Sequence, residues 1–170
     1  MKRYTILLML ICFANLSQAQ YSNYNDLWKK VEQFEIDGLP KSALKIVDDI
    51  ATKAKKDSNT PQHIKTLLFK SKYTLILEED AQLNIINNFK AEISKSVFPE
   101  KQILQNVLAN MYWQYFQQNR YRFYQRTKTQ NKVDNNDFRT WDLQTLFNEV
   151  HVLFQQSLQL EEQLQHADLN

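Results

Sequence analysis

Glycine and proline are scarce in this chain of 170 residues, which contains one glycine and three prolines. Turns between β-strands depend on these residues, because glycine supplies positive φ angles and proline presets the turn backbone. The hydrophobic content is ordinary at 43%, so the chain can still bury a core. The composition therefore predicts an all-α protein, with one helical domain over residues 20–170.

Cysteine is also nearly absent, since Cys12 is the single one in the chain. It lies in residues 1–19, where two basic residues precede an apolar run and small residues occupy the positions that a signal peptidase recognises. This segment predicts a signal peptide that is removed after Ala19. Cleavage leaves no cysteine, which excludes disulfides, thiolate metal ligands and cysteine nucleophiles from the mature chain.

Long hydrophobic runs are missing after the signal. No later segment approaches the roughly 18 continuous apolar residues of a transmembrane helix. We therefore expect no integral membrane segment after signal cleavage, and a protein that is exported to the periplasm or associated with the outer envelope. Export argues against nucleic acid as a partner.

Charge is divided into two blocks along the chain. Residues 101–133 contain six basic and no acidic residues, whereas residues 134–170 contain seven acidic and one basic residue. One interpretation is that two helices pack side by side with complementary faces. The other is that the basic block forms an anion-binding surface.

Hydrophobic spacing predicts a hairpin of two helices at the start of the mature chain. The first helix covers about Asn25 to Asp37 and ends before Gly38, which suits a helix C-terminus because glycine adopts positive φ angles. Pro40 opens the second helix, where its missing N–H does no harm. The predicted packing stripe of the second helix consists of small and branched residues: Ala43, Val47, Ile50 and Ala54.

Four more helices are predicted, which gives about six in all. The third follows Thr60 as a hydroxyl N-cap, and the fourth begins near the acidic run at 78–80. The fifth is long, about Glu100 to Thr127, and after a polar loop at 128–137 the last helix is capped by Thr140. The predicted apolar faces contain Ile64, Leu67, Leu68, Ser71 and Leu75 in the third helix, and Ile86, Phe89, Ile93 and Val97 in the fourth.

The short connections favour antiparallel neighbours. The spacing around Gly38 is tetratricopeptide-like, with glycine five residues before Ala43, but no clean 34-residue repeat follows. We therefore expect irregular stacked antiparallel helical hairpins of tetratricopeptide-like character.

Residues that could support catalysis or bind a metal are isolated. The histidines His63, His151 and His166 lack the i, i+4 spacing of a zinc site, and His63 is expected at the surface. Adjacent carboxylates point in divergent directions on a helix, so a solvated face or a charge at a helix N-terminus explains them rather than acid/base chemistry. No nucleophile motif or glycine-rich phosphate loop is present. We expect no enzymatic activity, no metal and no cofactor.

Aromatic and cationic residues alternate between Tyr112 and Arg126. In this run, core packing with the arginine heads reaching solvent is one interpretation, and a groove for a partner segment or a glycan is the other. The three tryptophans, Trp28, Trp113 and Trp141, fall in helical stripes and are expected in the core. The residues that would form a partner surface are Arg120, Arg122, Arg126, Tyr121 and Tyr124.

Taken together, several stretches resemble the N-terminal helical region of the large exported alpha-2-macroglobulin-like proteins of the Bacteroidetes. The likeness covers essentially the whole mature chain. The stretches that carry it are residues 28–31 (WKKV), 38–44 (GLPKSAL), 77–81 (LEEDA), 99–104 (PEKQIL), 112–115 (YWQY), 119–121 (NRY), 126–127 (RT) and 137–143 (DFRTWDL).

The resemblance implies a relationship to protease-trapping proteins that contain macroglobulin-like β-sandwich domains, a bait region and, in many members, a thioester. This chain ends at Asn170 and contains no bait region and no thioester cysteine, so no functional residue of that family is carried over. The expected protein is a truncated or split member, or a stand-alone helical module, that docks to or scaffolds macroglobulin domains or an envelope protein. The alternative is an independent tetratricopeptide-like periplasmic adaptor that binds a peptide or a glycan.

Overall fold

A computed structural model describes residues 23–125, 134 and 136–167. All regular structure in these residues is helical and no strand occurs among them, which confirms the predicted all-α class. The export signal predicted at residues 1–19 lies outside the described residues. In chain order the helices are α1 (Tyr24–Ile36), α2 (Pro40–Lys56), α3 (Thr60–Leu77), α4 (Ala81–Lys95), α5 (Glu100–Gln125), α6 (Leu143–Ser157) and α7 (Glu161–Gln165), with a 3-10 turn at Phe138–Thr140.

The hairpin of α1 and α2 forms as the sequence predicts. Gly38 has a φ of 68°, a left-handed conformation that glycine adopts without a Cβ penalty. The Leu39 N–H reaches back to the Phe34 carbonyl at 2.8 Å, which closes the end of α1. Pro40 begins α2, and the whole predicted stripe of that helix is buried: Ala43, Val47, Ile50 and Ala54.

The helices pack as stacked pairs. Each of α1 to α5 packs on the helix that follows it. Side chains also connect helices to the next but one: Trp28 in α1 donates a hydrogen bond to Gln62 in α3 at 2.7 Å, and Lys55 in α2 pairs with Glu92 in α4 at 3.2 Å. Contacts to both the next helix and the next but one are typical of stacked helical hairpins. The tetratricopeptide-like character stays a prediction.

Two hydrophobic clusters form the core. The smaller one joins α1, α2 and α3 around Val31, Val47 and Tyr73. The larger one joins α4, α5 and α6 with the 3-10 turn, and it is rich in aromatic rings, including Phe89, Tyr112, Phe116, Phe123, Phe138 and Trp141. The larger cluster therefore anchors the second half of α5 through Phe116 and Phe123.

The predicted caps of α3 and α6 are wrong by one or two residues. The Asn59 side chain, and not Thr60, accepts from the Gln62 N–H at 3.1 Å. Asp142 accepts from the Thr145 N–H at 2.7 Å, whereas Thr140 belongs to the 3-10 turn. In both cases a nearby Asx residue takes the role, because its short side-chain oxygen reaches the free N–H groups of the first turn.

The predicted face of α3 is partly wrong. Leu68 and Leu75 are 42% and 56% exposed, while Thr66 and Tyr73 are buried. The Tyr73 hydroxyl donates to Glu35 Oε1 at 2.6 Å, so this ring enters the core with its polar end satisfied. A search for apolar residues at helical spacing does not identify polar residues that are buried in this way.

The end of the fourth helix and the number of helices differ from the predictions. Helix α4 ends at Lys95, so Val97 lies beyond it and is 75% exposed. The short α7 is a seventh helix that hydrophobic spacing does not predict. The predicted end of the fifth helix at Thr127, and most of the predicted loop that follows, lie outside the described residues. No helix in the described part of the chain combines the length and apolar character needed to cross a membrane.

Candidate functional site

The regular backbone of helix α5 is interrupted at Asn119. This residue has non-helical angles (φ −117°, ψ 16°), and its side-chain amide donates to the Tyr115 carbonyl at 2.9 Å. Asparagine competes with the helix for backbone hydrogen bonds, which accounts for a kink at this position. Before the kink α5 lies in the core, and after it the helix presents mainly exposed side chains.

The exposed end of α5 contains most of the predicted partner surface. Arg120 and Arg122 are exposed, and Tyr121 and Tyr124 are 74% and 68% exposed. Arg126, the remaining predicted residue, lies outside the described residues. Phe123 alone among these neighbours enters the core. Core packing therefore explains Phe123 but not the two tyrosines.

The acidic block does not pair with these arginines in the described part of the chain. Asp137 is bound to Arg139 at 2.8 Å, Asp142 caps α6, and the Asp134 carboxylate accepts from the Asn136 N–H at 2.7 Å. Neither Arg120 nor Arg122 makes an ion pair with any described residue. Within the described residues neither Arg120 nor Arg122 takes part in the predicted charge pairing, and both side chains are exposed. The cations Arg126, Lys128 and Lys132 of the basic block lie outside those residues.

Arg122 lies at one end of a groove between α4 and α5. The groove consists of two adjoining cavities of about 170 and 500 Å³ that share Gln82, Tyr115 and Gln118. We call it the α4–α5 groove. Besides these shared residues, the cationic end of the groove is lined by Arg122, Arg139 and Asn119. The other end is lined by Ser71, Leu75, Ile85, Ile86, Met111, Gln114 and Phe138.

Arg139 is a second cation in the groove, but its charge is compensated. It donates to Asp80 Oδ1 and Asp137 Oδ2, each at 2.8 Å, and joins the 3-10 turn to the start of α4. Hydrogen bonds from Arg139 hold the pKa of Asp137 below its usual range. Sequence spacing gives no sign of this role, because residues 80 and 139 meet only after α4, α5 and the turn have packed. Arg122 is therefore the groove's uncompensated cation within the described chain.

An aromatic patch covers the surface where α5 meets α6. The buried Phe116 ring lies under three partly exposed rings, with centroid distances of 5.5 Å to Trp113, 4.8 Å to Phe147 and 6.4 Å to Tyr124. Trp113 is 43% exposed, so the expectation that it lies in the core is wrong. We use the name aromatic patch for Trp113, Phe116, Tyr124 and Phe147.

His63 is buried, contrary to the prediction of a surface residue. Its Nδ1 lies 2.5 Å from Glu100 Oε1, and its Nε2 lies 3.8 Å from Glu92 Oε2. These contacts connect α3 to α4 and α5. No serine or threonine side chain in the described residues makes a hydrogen bond to this imidazole, and no described cluster of histidine and carboxylate residues could hold a metal ion.

Comparison with known proteins yields no match to a family model, to a curated protein or to a solved structure. The resemblance to the macroglobulin-like family thus remains a prediction from the sequence. The features that bear on function are the α4–α5 groove, the exposed end of α5 and the aromatic patch.

Proposed function

We propose that this chain is a non-catalytic helical module that docks a protein partner through the exposed end of α5 and the adjoining α4–α5 groove. The observation that carries the proposal is that Arg120 and Arg122 are exposed without an ion pair to described residues, while the nearby acids serve caps and Arg139. Unpaired cations beside an apolar floor orient and select an oppositely charged partner. The groove supplies that floor through Ile85, Ile86 and Phe138.

The sequence resemblance supports a particular kind of partner. On that basis, we propose that the module corresponds to the N-terminus of an alpha-2-macroglobulin-like envelope protein and docks to or scaffolds macroglobulin domains. Without a bait region or a thioester it would not trap a protease alone. The export signal predicted at residues 1–19 supports a location in the periplasm or at the outer envelope.

The aromatic patch favours a second candidate function. Trp113, Tyr124 and Phe147 give an exposed aromatic surface of the kind that marks binding sites. An independent tetratricopeptide-like adaptor could use this surface for a peptide or a glycan. The two candidates differ in the surface that the partner covers.

Site-specific photo-crosslinking tests the proposal and separates the two candidates. A photoreactive amino acid replaces Gln118 in the groove, Trp113 in the patch, or Asn25 in α1 as the matched control, and partners crosslinked in living cells are identified by mass spectrometry. We expect an acidic surface of an envelope protein, with macroglobulin domains, to crosslink from position 118 and not from position 25. A partner that crosslinks only from position 113 would favour the adaptor, and equal labelling from all three positions would contradict both.

A further inference from the structure

The aromatic patch belongs to a longer surface that α5 and α6 form together. Near one end of this surface the Trp113 and Phe147 rings lie 5.9 Å apart, and about two turns along α5 Gln105 donates to Gln156 at 2.8 Å. Residue numbers rise along one helix as they fall along the other, so α5 and α6 run antiparallel. Because α6 has 15 residues, the shared surface is about 22 Å long.

Helical spacing identifies the side chains that line this surface. In α6, the residues four, seven and eleven positions after Phe147 share its side of the helix. In α5, spacings of seven and eleven connect Trp113 with Arg120 and Tyr124, and the Phe116 and Tyr124 rings stay in contact at 6.4 Å across the kink. We call this surface the α5–α6 face and define it by Trp113, Phe116, Arg120, Tyr124, Phe147, His151, Phe154 and Leu158.

Formal charge is nearly absent from the α5–α6 face. Arg120 is its one member among Asp, Glu, Lys and Arg, and the whole of α6 contains one such residue, Glu149, which lines a cavity between α4 and α6 instead. Trp113, Phe147 and Leu158 are nevertheless exposed. An exposed surface that is rich in aromatic residues and poor in charge is typical of the centre of a protein–protein interface.

The two ends of this face have opposite charge. Arg120 is exposed at the end where α6 begins and makes no ion pair with a described residue. At the end where α6 stops, Glu161 and Glu162 open α7, and both are exposed and likewise unpaired within the described chain. Lys101, a cation at this end of α5, lines the cavity beside α4. The face is therefore apolar in the middle, basic at one end and acidic at the other.

We propose that a second copy of this chain covers the α5–α6 face in a dimer with twofold symmetry. A twofold axis through the middle of the face turns the basic end of one copy onto the acidic end of the other, so the surface is complementary to itself. Arg120 then meets the partner's Glu161 and Glu162 at both ends, and the aromatic rings pack between them. The dimer leaves the α4–α5 groove and Arg122 open, so this inference does not rest on the docking proposed above.

Sedimentation equilibrium of the protein, purified after expression of the whole sequence, tests this proposal. We expect the wild type to be a dimer and Arg120→Glu to weaken its association about tenfold or more, because attraction becomes repulsion at both ends of the interface. Glu161→Lys/Glu162→Lys should weaken the association for the same reason. Lys29→Glu, which reverses an exposed charge on α1, is the matched control and should leave the dimer unchanged.

A mixture of the two charge-reversed variants separates lost complementarity from misfolding. In a mixed dimer of Arg120→Glu with Glu161→Lys/Glu162→Lys, opposite charges meet again at both ends, so the mixture should associate more tightly than either variant alone. Misfolded variants could not regain association in this way. A monomeric wild type, a dimer that both variants preserve, or a mixture that associates no better than its components would overturn the proposal. So would a photoreactive amino acid at position 113 that crosslinks another protein and never a second copy.

Discussion

At the scale of single side chains, two tryptophans differ in how much of the ring is buried. Trp141 is 2% exposed, and its Nε1 donates to the Asp134 carbonyl at 2.7 Å, whereas Trp113 lies in the aromatic patch. We expect Trp141→Ala to lower the free energy of unfolding by about 3 to 5 kcal/mol. Trp113→Ala should cost only about 1 kcal/mol, because much of its ring is already in water. Urea denaturation measures both, and equal losses would place Trp113 in the core.

The Glu35 carboxyl group makes the free energy of unfolding depend on pH. Hydrogen bonds from Lys72 and Tyr73 lower the pKa of Glu35 from its ordinary value of 4.5. A carboxyl with a lowered folded pKa contributes stability above its ordinary pKa and loses it as the pH falls through the folded value. Glu35→Gln should therefore reduce the stability at neutral pH and make the remaining stability less sensitive to acid below pH 4.5. An acid-unfolding curve with unchanged slope in this variant would contradict the assignment.

At the scale of elements, the start of α6 depends on one side chain. Asp142 accepts from the Thr145 N–H, the capping role that the sequence predicts for Thr140. We expect Asp142→Ala to cost about 1 kcal/mol of unfolding free energy and Asp142→Asn to recover most of it, because asparagine caps a helix equally well. Thermal melts followed by circular dichroism provide the comparison. A larger loss for Thr140→Ala than for Asp142→Ala would make Thr140 the residue on which the start of α6 depends.

The predicted helix boundaries are accurate where the backbone preferences of nearby residues determine them. Gly38 and Pro40 fix the first turn through backbone preferences that no tertiary contact overrides, and the stripe of α2 is buried as expected. The face of α3 could not be predicted from hydropathy, because Tyr73 is buried through a hydrogen bond to Glu35 in another helix. The kink at Asn119 is likewise missed, since Asn106 and Asn110 lie in the same helix without a kink.

At the scale of the whole molecule, the candidate site could be predicted only in part. A run of alternating rings and cations marks the end of α5, and the four described members of the predicted set are exposed. The α4–α5 groove beside them depends on how elements that are far apart in sequence pack, since Gln82, Arg122 and Arg139 line the same cavity. His63 is polar, so a search for apolar residues at helical spacing does not identify it as buried.

Binding of the crosslinked partner to charge variants tests the central claim most directly. Arg120→Gln/Arg122→Gln removes the two exposed cations at the end of α5, and Lys29→Gln/Lys30→Gln removes two exposed cations from α1 as the matched control. Exposed ion pairs contribute about 0.2 to 1 kcal/mol each, so the arginine variant should bind roughly two- to thirtyfold more weakly and with less salt dependence. The lysine variant should bind like the wild type, and both should keep the wild-type melting temperature. Equal binding by the two variants, or weaker binding explained by a lower melting temperature, would contradict docking through α5.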